Sequence, residues 1–346
     1  MATNQRIFYA CQAVAIQPRG TATTTAAYVV HGLQSVGMSS TFTLDQVFEM
    51  GQVEIYENIE QVADIEVTLE KVIDGYKLIY DLATGGACKT GVVGASKVRS
   101  DVLVAVFDDG NNQATGVPRN VCYNSGMYVS SVSYSYSVDG SATESVTMVG
   151  NDRYWNTIKP GGQTTATAIT ASGIWGASNP TVNFANGNDA PPSGVVRRTN
   201  VLLGAGASTL PAELDLGKGD DPVGNSSNRH LQSISISTDF GQENIQELGR
   251  FGPYTRYATF PIEVTAEFEV VATSGDLISV SGTAENLQPR QIVIKDDAGT
   301  VIDLGGNNKL SSVSYSGGDT GGGNVSVSYS YSNFNVLQVD GGRTHA

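Results

Sequence analysis

The sequence Leu33-Gln34-Ser35-Val36, shortly after His31, returns in the second half of the chain as Leu231-Gln232-Ser233-Ile234, shortly after His230. Further blocks recur in the same order: Ile65-Glu66-Val67-Thr68 with Ile262-Glu263-Val264-Thr265, and Ser130-Ser131-Val132-Ser133-Tyr134-Ser135 with Ser311-Ser312-Val313-Ser314-Tyr315-Ser316. Blocks that keep their order while the intervals between them drift are typical of two copies of one domain, not of a solenoid. The repeat therefore predicts a duplicated domain, which favours pseudo-symmetric positions in a closed ring.

The composition favours an all-β fold. The 346 residues suffice for two domains of ordinary size, each with its own core. Charged residues make up only 16% of the chain, so much of the polar surface consists of serine, threonine, asparagine and glutamine. The 40 glycines and 15 tyrosines match a protein of many strands and turns.

The net charge of −14 argues against nucleic-acid binding through basic side chains that neutralise phosphates. An acidic surface repels DNA, and this repulsion can itself be a function. The first residues predict no signal peptide, and no apolar run approaches the roughly 20 residues of a membrane span. We expect a protein with no membrane partner, made and kept in the cytoplasm or in something assembled there.

The repeat divides the chain into four segments. Residues 1–30 form an N-terminal arm, 31–155 the first copy, 156–229 an insertion rich in glycine, threonine and proline, and 230–346 the second copy. The arm contains a strand-like run that ends at Pro18; it either adds a strand to a neighbouring subunit or forms an edge strand of its own domain. The insertion is longer than a linker needs to be. We therefore predict that it is an ordered element on the outer surface.

Each copy contains a long segment in which apolar and acidic residues alternate. In Val53–Val72 the odd positions are mostly apolar and the even positions carry carboxylates, a period of two that is typical of strands. Its length predicts either a hairpin or one long strand bent near Glu60. The second copy repeats the pattern in Ile262–Val270.

The acidic rows in these segments are the candidate functional residues. They comprise Glu54, Glu60, Asp64, Glu66, Glu70, Glu263, Glu267 and Glu269. The repeat aligns Glu66 with Glu263 and Glu70 with Glu267, which predicts carboxylates on the equivalent sheet face of both copies. Three interpretations are open: glycosidase carboxylates, an ordinary solvated face, or a row lining a channel along which another polyanion slides. The glycosidase interpretation is the weakest, because carboxylates two residues apart on one face are usually solvated.

The sequence contains no recognisable catalytic, cofactor or metal site. The histidines stand far apart and outside any His-x-x-x-His or Cys-x-x-Cys frame. In Gly86–Gly91 a cysteine replaces the glycine that a phosphate loop needs before its lysine. Cys11, Cys88 and Cys122 lack metal-like spacing and are expected to be small buried hydrophobic residues. The chain is therefore predicted not to be an enzyme.

The order of elements resembles that of bacteriophage tail tube proteins. A strand-like arm precedes a glycine-bounded hairpin that ends in the acidic alternation, over Gly51–Glu70. A short helix-like region follows in each copy, within 76–100 and 281–289, and then a serine, tyrosine and valine sheet such as Val129–Tyr136. The resemblance covers both copies but not residues 156–229, and it rests on this pattern because the family has no sharp motif.

The resemblance implies two tandem tail-tube-like domains, each a β-sandwich or rolled sheet with one short helix, plus an irregular insertion. Hairpins of neighbouring subunits would join into a β-barrel around an acidic lumen, which DNA crosses without specific binding. Trimeric rings with six pseudo-equivalent domains would stack into the tube of a virion tail, assembled in the host cytoplasm. The implied partners are further copies of the chain, a tape measure protein, a baseplate or hub and, where one is present, a contractile sheath.

Two alternatives to a tube subunit remain open. The same duplicated architecture occurs in tail hub proteins, so a hub or terminator component is one of them. The other is a carbohydrate-binding surface β-sandwich, in which Trp155 and Trp175 would contact sugar. The lack of a predicted signal peptide argues against the second alternative.

Overall fold

The computed structural model shows an all-β protein, as predicted, built from antiparallel strands with few helical residues. The described residues are 7–19, 27–108, 111–113, 118–157, 171–173, 176–178, 184, 191–203, 208–211, 214, 230–272, 275, 278, 288–318 and 323–341. The strands are β1 Gln12–Pro18, β2 Tyr28–Val29, β3 Leu33–Thr41, β4 Leu44–Phe48, β5 Ile55–Glu60, β6 Asp64–Val72, β7 Ser100–Val106, β8 Asn120–Ser137, β9 Thr143–Gly150, β10 Asp152–Thr157, β11 Ala171–Gly173, β12 Gly176–Ser178, β13 Leu231–Asp239, β14 Gln242–Ile245, β15 Thr255–Ala258, β16 Glu263–Val271, β17 Val293–Lys295, β18 Val301–Asp303, β19 Lys309–Ser316, β20 Ser326–Phe334 and β21 Gln338–Asp340.

Strands from both halves of the chain form one continuous antiparallel sheet, here called the main sheet. Its order is β3-β6-β9-β8-β13-β16-β20-β19, so the first four strands belong to one half and the last four to the other. The β8–β13 pair joins the halves and is called the internal seam. A second sheet, β10-β8-β7-β1-β2, shares β8 with the main sheet.

Strand β8 serves both sheets because it changes partners near Gly126. Its first half pairs with β7 and β10, and its second half pairs with β9 and β13. Gly126 has a φ of 64°, a left-handed conformation that residues with a side chain rarely adopt. Its N–H donates to the buried carboxylate of Asp101 at 2.9 Å. The glycine therefore lets a single 18-residue strand pass from one sheet into the other.

The two halves of the main sheet have matching hydrogen-bond registers. The β3–β6 pair is interrupted by a bulge directly after Leu33, and the β13–β16 pair directly after Leu231. The β8–β9 pair is interrupted after Val129, and the β19–β20 pair after Leu310. Each strand of one half thus has a counterpart in the other: β3 with β13, β6 with β16, β9 with β20, and β8 with β19.

These registers correct the sequence alignment of the acidic segments. Glu70 lies opposite Ser35 and Glu269 lies opposite Ser233, so the counterpart of Glu70 is Glu269 and not Glu267.

By the same registers, the counterpart of Glu263 is Asp64 and not Glu66. The alignment was wrong by two residues because alternating Ile, Glu, Val and Thr fit almost equally well at every second position. A shift of two keeps each side chain on its own face, so carboxylates occupy the equivalent face in both halves of the main sheet.

The alternating segment Val53–Val72 contains two strands of different sheets, so it forms neither a hairpin of its own nor one long bent strand. Strand β5 ends at Glu60 and β6 begins at Asp64. Strand β5 pairs with β4 in an exposed hairpin, whereas β6 lies inside the main sheet between β3 and β9. Strands β14 and β15 form the corresponding hairpin of the second half.

One apolar core covers one face of the main sheet and runs through both halves. Alternate strand residues supply it, such as Val67 in β6, Ile236 in β13 and Phe268 in β16, because the pleat sends every second side chain to this face. The helices α1 (Ile79–Thr84) and α2 (Val92–Ala95) and the small sheet β17-β18-β21 close the core from the other side. The helix predicted in the second copy, within 281–289, falls largely outside the described residues, of which only 288 and 289 belong to this range.

Parts of the arm and of the insertion lie inside the fold. Strand β1 sits between β7 and β2, so the strand-like run of the arm is an inner strand of its own chain. Phe184 of the insertion is buried edge-to-face against Phe107 of the second sheet, with ring centroids 6.1 Å apart. The backbone of Val196 bridges Ile73 and Ala142 with hydrogen bonds of 2.8 and 2.9 Å. The prediction of an outer-surface insertion is wrong for these residues, because their apolar side chains complete the two cores.

Candidate functional site

The face of the main sheet opposite the core, here called the polar face, is lined by hydroxyl and carboxylate side chains. Its polar members include, strand by strand, Ser35 and Ser39; Asp64, Glu66, Thr68 and Glu70; Ser145 and Thr147; Ser131, Ser133 and Ser135; Ser233, Ser235, Ser237 and Asp239; Glu263, Thr265, Glu267 and Glu269; Ser328, Ser330 and Ser332; and Ser312 and Ser314. Lys309, at the start of β19, lies on the same face. Negative charge therefore predominates over a hydroxyl-rich surface.

Six of the eight predicted acidic residues lie on this polar face by the strand registers. Four of them, Glu66, Glu70, Glu267 and Glu269, lie away from the strand ends. Serine hydroxyls on neighbouring strands donate to three of them, with distances of 3.4 Å for Ser35–Glu70, 3.3 Å for Ser233–Glu269 and 2.6 Å for Ser328–Glu267. A hydroxyl orients a carboxylate without neutralising it, so the face keeps its negative charge.

Asp64 and Glu263 lie at the ends of β6 and β16. The buried guanidinium of Arg256 on β15 contacts Asp64 at 2.8 Å, and the amide of Asn151 donates to the same oxygen at 3.3 Å. Asp64 is thus half of an ion pair that joins the two halves of the chain, at the end of the polar face. Its counterpart Glu263 is exposed.

Glu54 and Glu60 lie on the β4–β5 hairpin, away from the main sheet. Glu54 is in the turn before β5, and Glu60 is the last residue of that strand. The eight predicted residues therefore do not form one row. The sequence pattern joined them because the alternation of residue types continues through residues 61–63, which belong to no strand.

Within the described part of the chain, both outer edges of the main sheet are open. Among the described strands, β3 pairs only with β6, and β19 pairs only with β20. Both edge strands are exposed along most of their length. A long edge strand presents a row of unpaired backbone donors and acceptors, which is a template for pairing with another chain.

The β4–β5 hairpin exposes an unusual amount of apolar surface. Both of its strands are exposed at every residue. The large apolar side chains exposed on it and its flanks are Phe42, Leu44, Val47, Phe48, Met50, Val53, Ile55, Tyr56 and Ile59. Exposed apolar side chains grouped on one hairpin are typical of an interaction site.

A buried carboxylate that the sequence patterns did not single out lies under the main sheet. Glu144 of β9 accepts hydrogen bonds from the N–H groups of Ile79 and Tyr80, at 2.6 and 3.1 Å, and from the hydroxyl of Tyr134 at 3.1 Å. It therefore satisfies free backbone donors at the start of α1. Burial raises the pKa of Glu144, whereas the charge of Lys71 and these hydrogen bonds act to lower it.

Lys71 completes this buried cluster. Its ammonium group contacts Asp74 at 3.2 Å and donates to the backbone carbonyl of Lys77 at 3.0 Å. A signal was present in the sequence, because Lys71 occupies a position that the alternation of β6 reserves for an apolar residue. A charge at a core position of a strand indicates a buried polar network.

The histidines and cysteines in the described part of the chain do not form a metal or catalytic site. His31 is buried and stacks on Tyr76 at 3.8 Å between ring centroids, whereas His230 is exposed. The three cysteines are free and buried, as predicted. Among the described residues, no three histidine, cysteine or acidic side chains are grouped as metal ligands would be. In the same part of the chain, no helix is both long and apolar enough to span a membrane.

No protein-family model and no curated protein matches the chain. Among solved structures, the chain is similar at 12% identity and a TM-score of 0.32 to a chain of the anti-feeding prophage baseplate, with 46% of this chain and 99% of that chain covered. It is similar at 11% identity and a TM-score of 0.32 to a chain of the sheath-tube complex of an extracellular contractile injection system, with 44% and 93% covered. Scores of this size fix neither the fold nor the role of this chain.

Proposed function

We propose that the chain is a phage tail tube subunit, a structural protein that assembles into closed rings with the polar face of the main sheet as their inner wall. The observation that carries this proposal is the main sheet itself, which is apolar on one face, acidic and hydroxyl-rich on the other, and open at both edges. Joining such sheets edge to edge removes the exposed edges and lets the sheet close into a barrel.

The chemistry of the polar face suits a passage for DNA. Carboxylates such as Glu70 and Glu269 repel phosphates over a distance of about 8 Å at physiological ionic strength. The serines between them keep the wall hydrated and supply no cation that would hold a phosphate. The mechanism is passive, because the wall only has to leave the DNA free to slide. No residue acts as a catalyst, and no cofactor takes part.

The proposed ring contains a defined number of copies and has defined partners in the tail. By the resemblance to duplicated tail tube proteins, three copies form each ring, and their six four-strand halves surround the lumen as pseudo-equivalent units. Rings stack into a tube in the virion tail, assembled in the host cytoplasm. The tape measure protein, a baseplate or hub and, where present, a sheath are the other partners. A hub or terminator built on the same fold is the second candidate, and it would stop at a single ring where a tube subunit stacks.

Charge reversal on the polar face tests this proposal. The variant combines Glu66→Lys, Glu70→Lys, Glu267→Lys and Glu269→Lys, and the control replaces the same residues with glutamine. Assembled wild-type and glutamine particles should not retain DNA at low salt. The lysine particles should retain DNA in a salt-dependent way and protect it from nuclease, because the DNA is held inside. Assembled lysine particles that left DNA unbound, or open to nuclease, would show that this face is not the inner wall.

A further inference from the structure

The two open edges of the main sheet correspond to strands that are already paired elsewhere in the chain. Strand β19 is the counterpart of β8, and β3 is the counterpart of β13. At the internal seam β8 and β13 are hydrogen-bonded to each other, with Ser133 opposite Ser237 and Tyr134 opposite Ile236. The internal seam is therefore a template for a contact between β19 and β3.

Burial supports this use of the template. Residues that the internal seam buries have counterparts that the open edges expose. The exposed fractions are 1% for Ile236 and 36% for Met38, 1% for Tyr134 and 55% for Tyr315, and 0% for Phe240 and 72% for Phe42. Each of these apolar positions is buried at the internal seam and exposed at an open edge. This difference is expected if a second copy of the chain buries the exposed residues.

We infer that β19 of one copy pairs with β3 of a second copy in the register of the internal seam. Transferring that register places Ser314 opposite Ser39 and Tyr315 opposite Met38. The serine pair continues the polar face across the boundary, and the tyrosine and methionine continue the apolar face. The contact is head-to-tail, so repeated copies close into a ring or extend as a filament, according to the rotation between them.

The hairpins extend the same template and supply charge complementarity. At the internal seam the hydroxyls of Tyr128 on β8 and Thr255 on β15 lie 3.1 Å apart. Their counterparts are Lys309 on β19 and Glu57 on β5, and both are exposed. A contact between two neutral hydroxyls inside the chain thus becomes a lysine and a glutamate at the contact between copies. Opposite charges at one position favour this partner and register over others.

The ion pair that joins the two halves has a polar counterpart as well. Arg256, which contacts Asp64, corresponds to Asn58 on β5, and Asp64 corresponds to Glu263. The amide of Asn58 supplies a donor for the carboxylate of Glu263 in the second copy. Glu263 is therefore assigned to the contact between copies, at the end of the polar face.

Disulfide trapping tests the register. The variant carries Ser314→Cys and Ser39→Cys, whose Cα atoms would lie about 4.5–5.5 Å apart across an antiparallel pair, within the range of about 4.4–6.8 Å that a disulfide spans. The native cysteines are buried and do not compete. Mild oxidation should give covalent oligomers on a non-reducing gel, with a ladder that ends at the number of copies in the ring.

Two further variants serve as controls. Ser314→Cys with Thr41→Cys is shifted by two residues, to a Cα separation of about 7–8 Å, and should cross-link at least tenfold less. Ser133→Cys with Ser237→Cys faces across the internal seam and should close within a single chain, which shows that the cysteine variants fold.

The inference rests on the proposed ring, and the outcomes separate the two. Rings in which the shifted pair cross-links, or neither pair does, would overturn the inferred register and leave the ring function standing. A well-folded protein that forms neither rings nor cross-links would overturn both.

The charged contact is tested separately. Lys309→Glu or Glu57→Lys alone should raise the protein concentration needed for assembly at least tenfold, and the double exchange should restore the wild-type concentration. Single variants that assemble as the wild type does would overturn the contact.

Discussion

Glu70 and Glu269 occupy the same place in the two halves of the main sheet. Each carboxylate lies opposite the serine that follows a β-bulge and accepts its hydrogen bond, from Ser35 at 3.4 Å and from Ser233 at 3.3 Å. A bulge, its register and a side-chain contact that all recur together are hard to explain by chance, because bulges are specific features of a fold. We therefore propose that the halves are two copies of one domain, as the sequence repeat predicts.

This equivalence predicts matching behaviour on substitution. Glu70→Gln and Glu269→Gln should each change the free energy of unfolding by less than about 0.5 kcal/mol, because both carboxylates face solvent. The residues are separated by four strand spacings across the sheet, or at least about 19 Å, so the double variant should show the sum of the two effects. Urea unfolding of the monomer measures all three. A large or strongly non-additive effect would contradict the description of the polar face.

Glu144 should behave in the opposite way. Glu144→Gln should lower the free energy of unfolding by about 1–3 kcal/mol, because an amide cannot accept all the hydrogen bonds that the buried carboxyl accepts. Glu70→Gln is the matched control, since it makes the same chemical change on the solvated face of the sheet. Equal effects at the two positions would mean that Glu144 does not hold the start of α1.

The raised pKa of Glu144 also predicts a pH dependence. The folded protein keeps this proton at a pH where the unfolded chain has lost it. The stabilisation is thus complete below the ordinary carboxyl pKa and is lost as the pH rises through the folded value. Between these limits the wild type should lose stability relative to Glu144→Gln as the pH rises, which unfolding curves at a series of pH values would measure. If the wild type instead gained stability relative to Glu144→Gln as the pH rose, the pKa of Glu144 would be lowered in the folded protein and not raised.

Arg256 should contribute to the connection between the two halves. Arg256→Ala removes hydrogen bonds to Asp64 and Asn151 and should cost about 1.5–3 kcal/mol. Asp64→Asn should cost less, because the Asp64 side chain is largely exposed and Asn151 remains to accept from the guanidinium. Urea unfolding of both variants checks the order. A larger loss from Asp64→Asn would contradict the contacts described here.

The buried cysteines should resist thiol reagents. Burial raises the pKa of Cys88 to about 12 and that of Cys122 to about 11. Since the thiolate is the reactive form, each unit of pKa lowers its fraction at pH 8 by about tenfold. Native protein should label slowly, and urea should release all three thiols. Rapid labelling of the native protein would show that these cores open readily.

The sequence predicted the strands better than it predicted their partners. Period-two alternation identified the residues of β6 and β16 and the face each side chain occupies, because that pattern follows from the pleat alone. It could not assign Glu70 to Glu269, since a shift of two residues leaves the pattern unchanged. Register depends on bulges and cross-strand pairs, which are properties of two strands together.

In the candidate site, too, the sequence predicted the face of each carboxylate but not its partners. Alternation placed Glu66, Glu70, Glu267 and Glu269 on one face, but it also included Asp64, whose partner Arg256 is distant in the chain. Whether a carboxylate is solvated or paired depends on what the fold brings to it. A contact between residues this far apart leaves no local trace in the sequence.

The central claim is that open main sheets join into rings, and electron microscopy of the purified protein with symmetry analysis tests it most directly. The account predicts hollow rings or stacked tubes with threefold symmetry and six similar densities around a lumen. A population of single monomers without a lumen, at concentrations where tail proteins assemble, would contradict it.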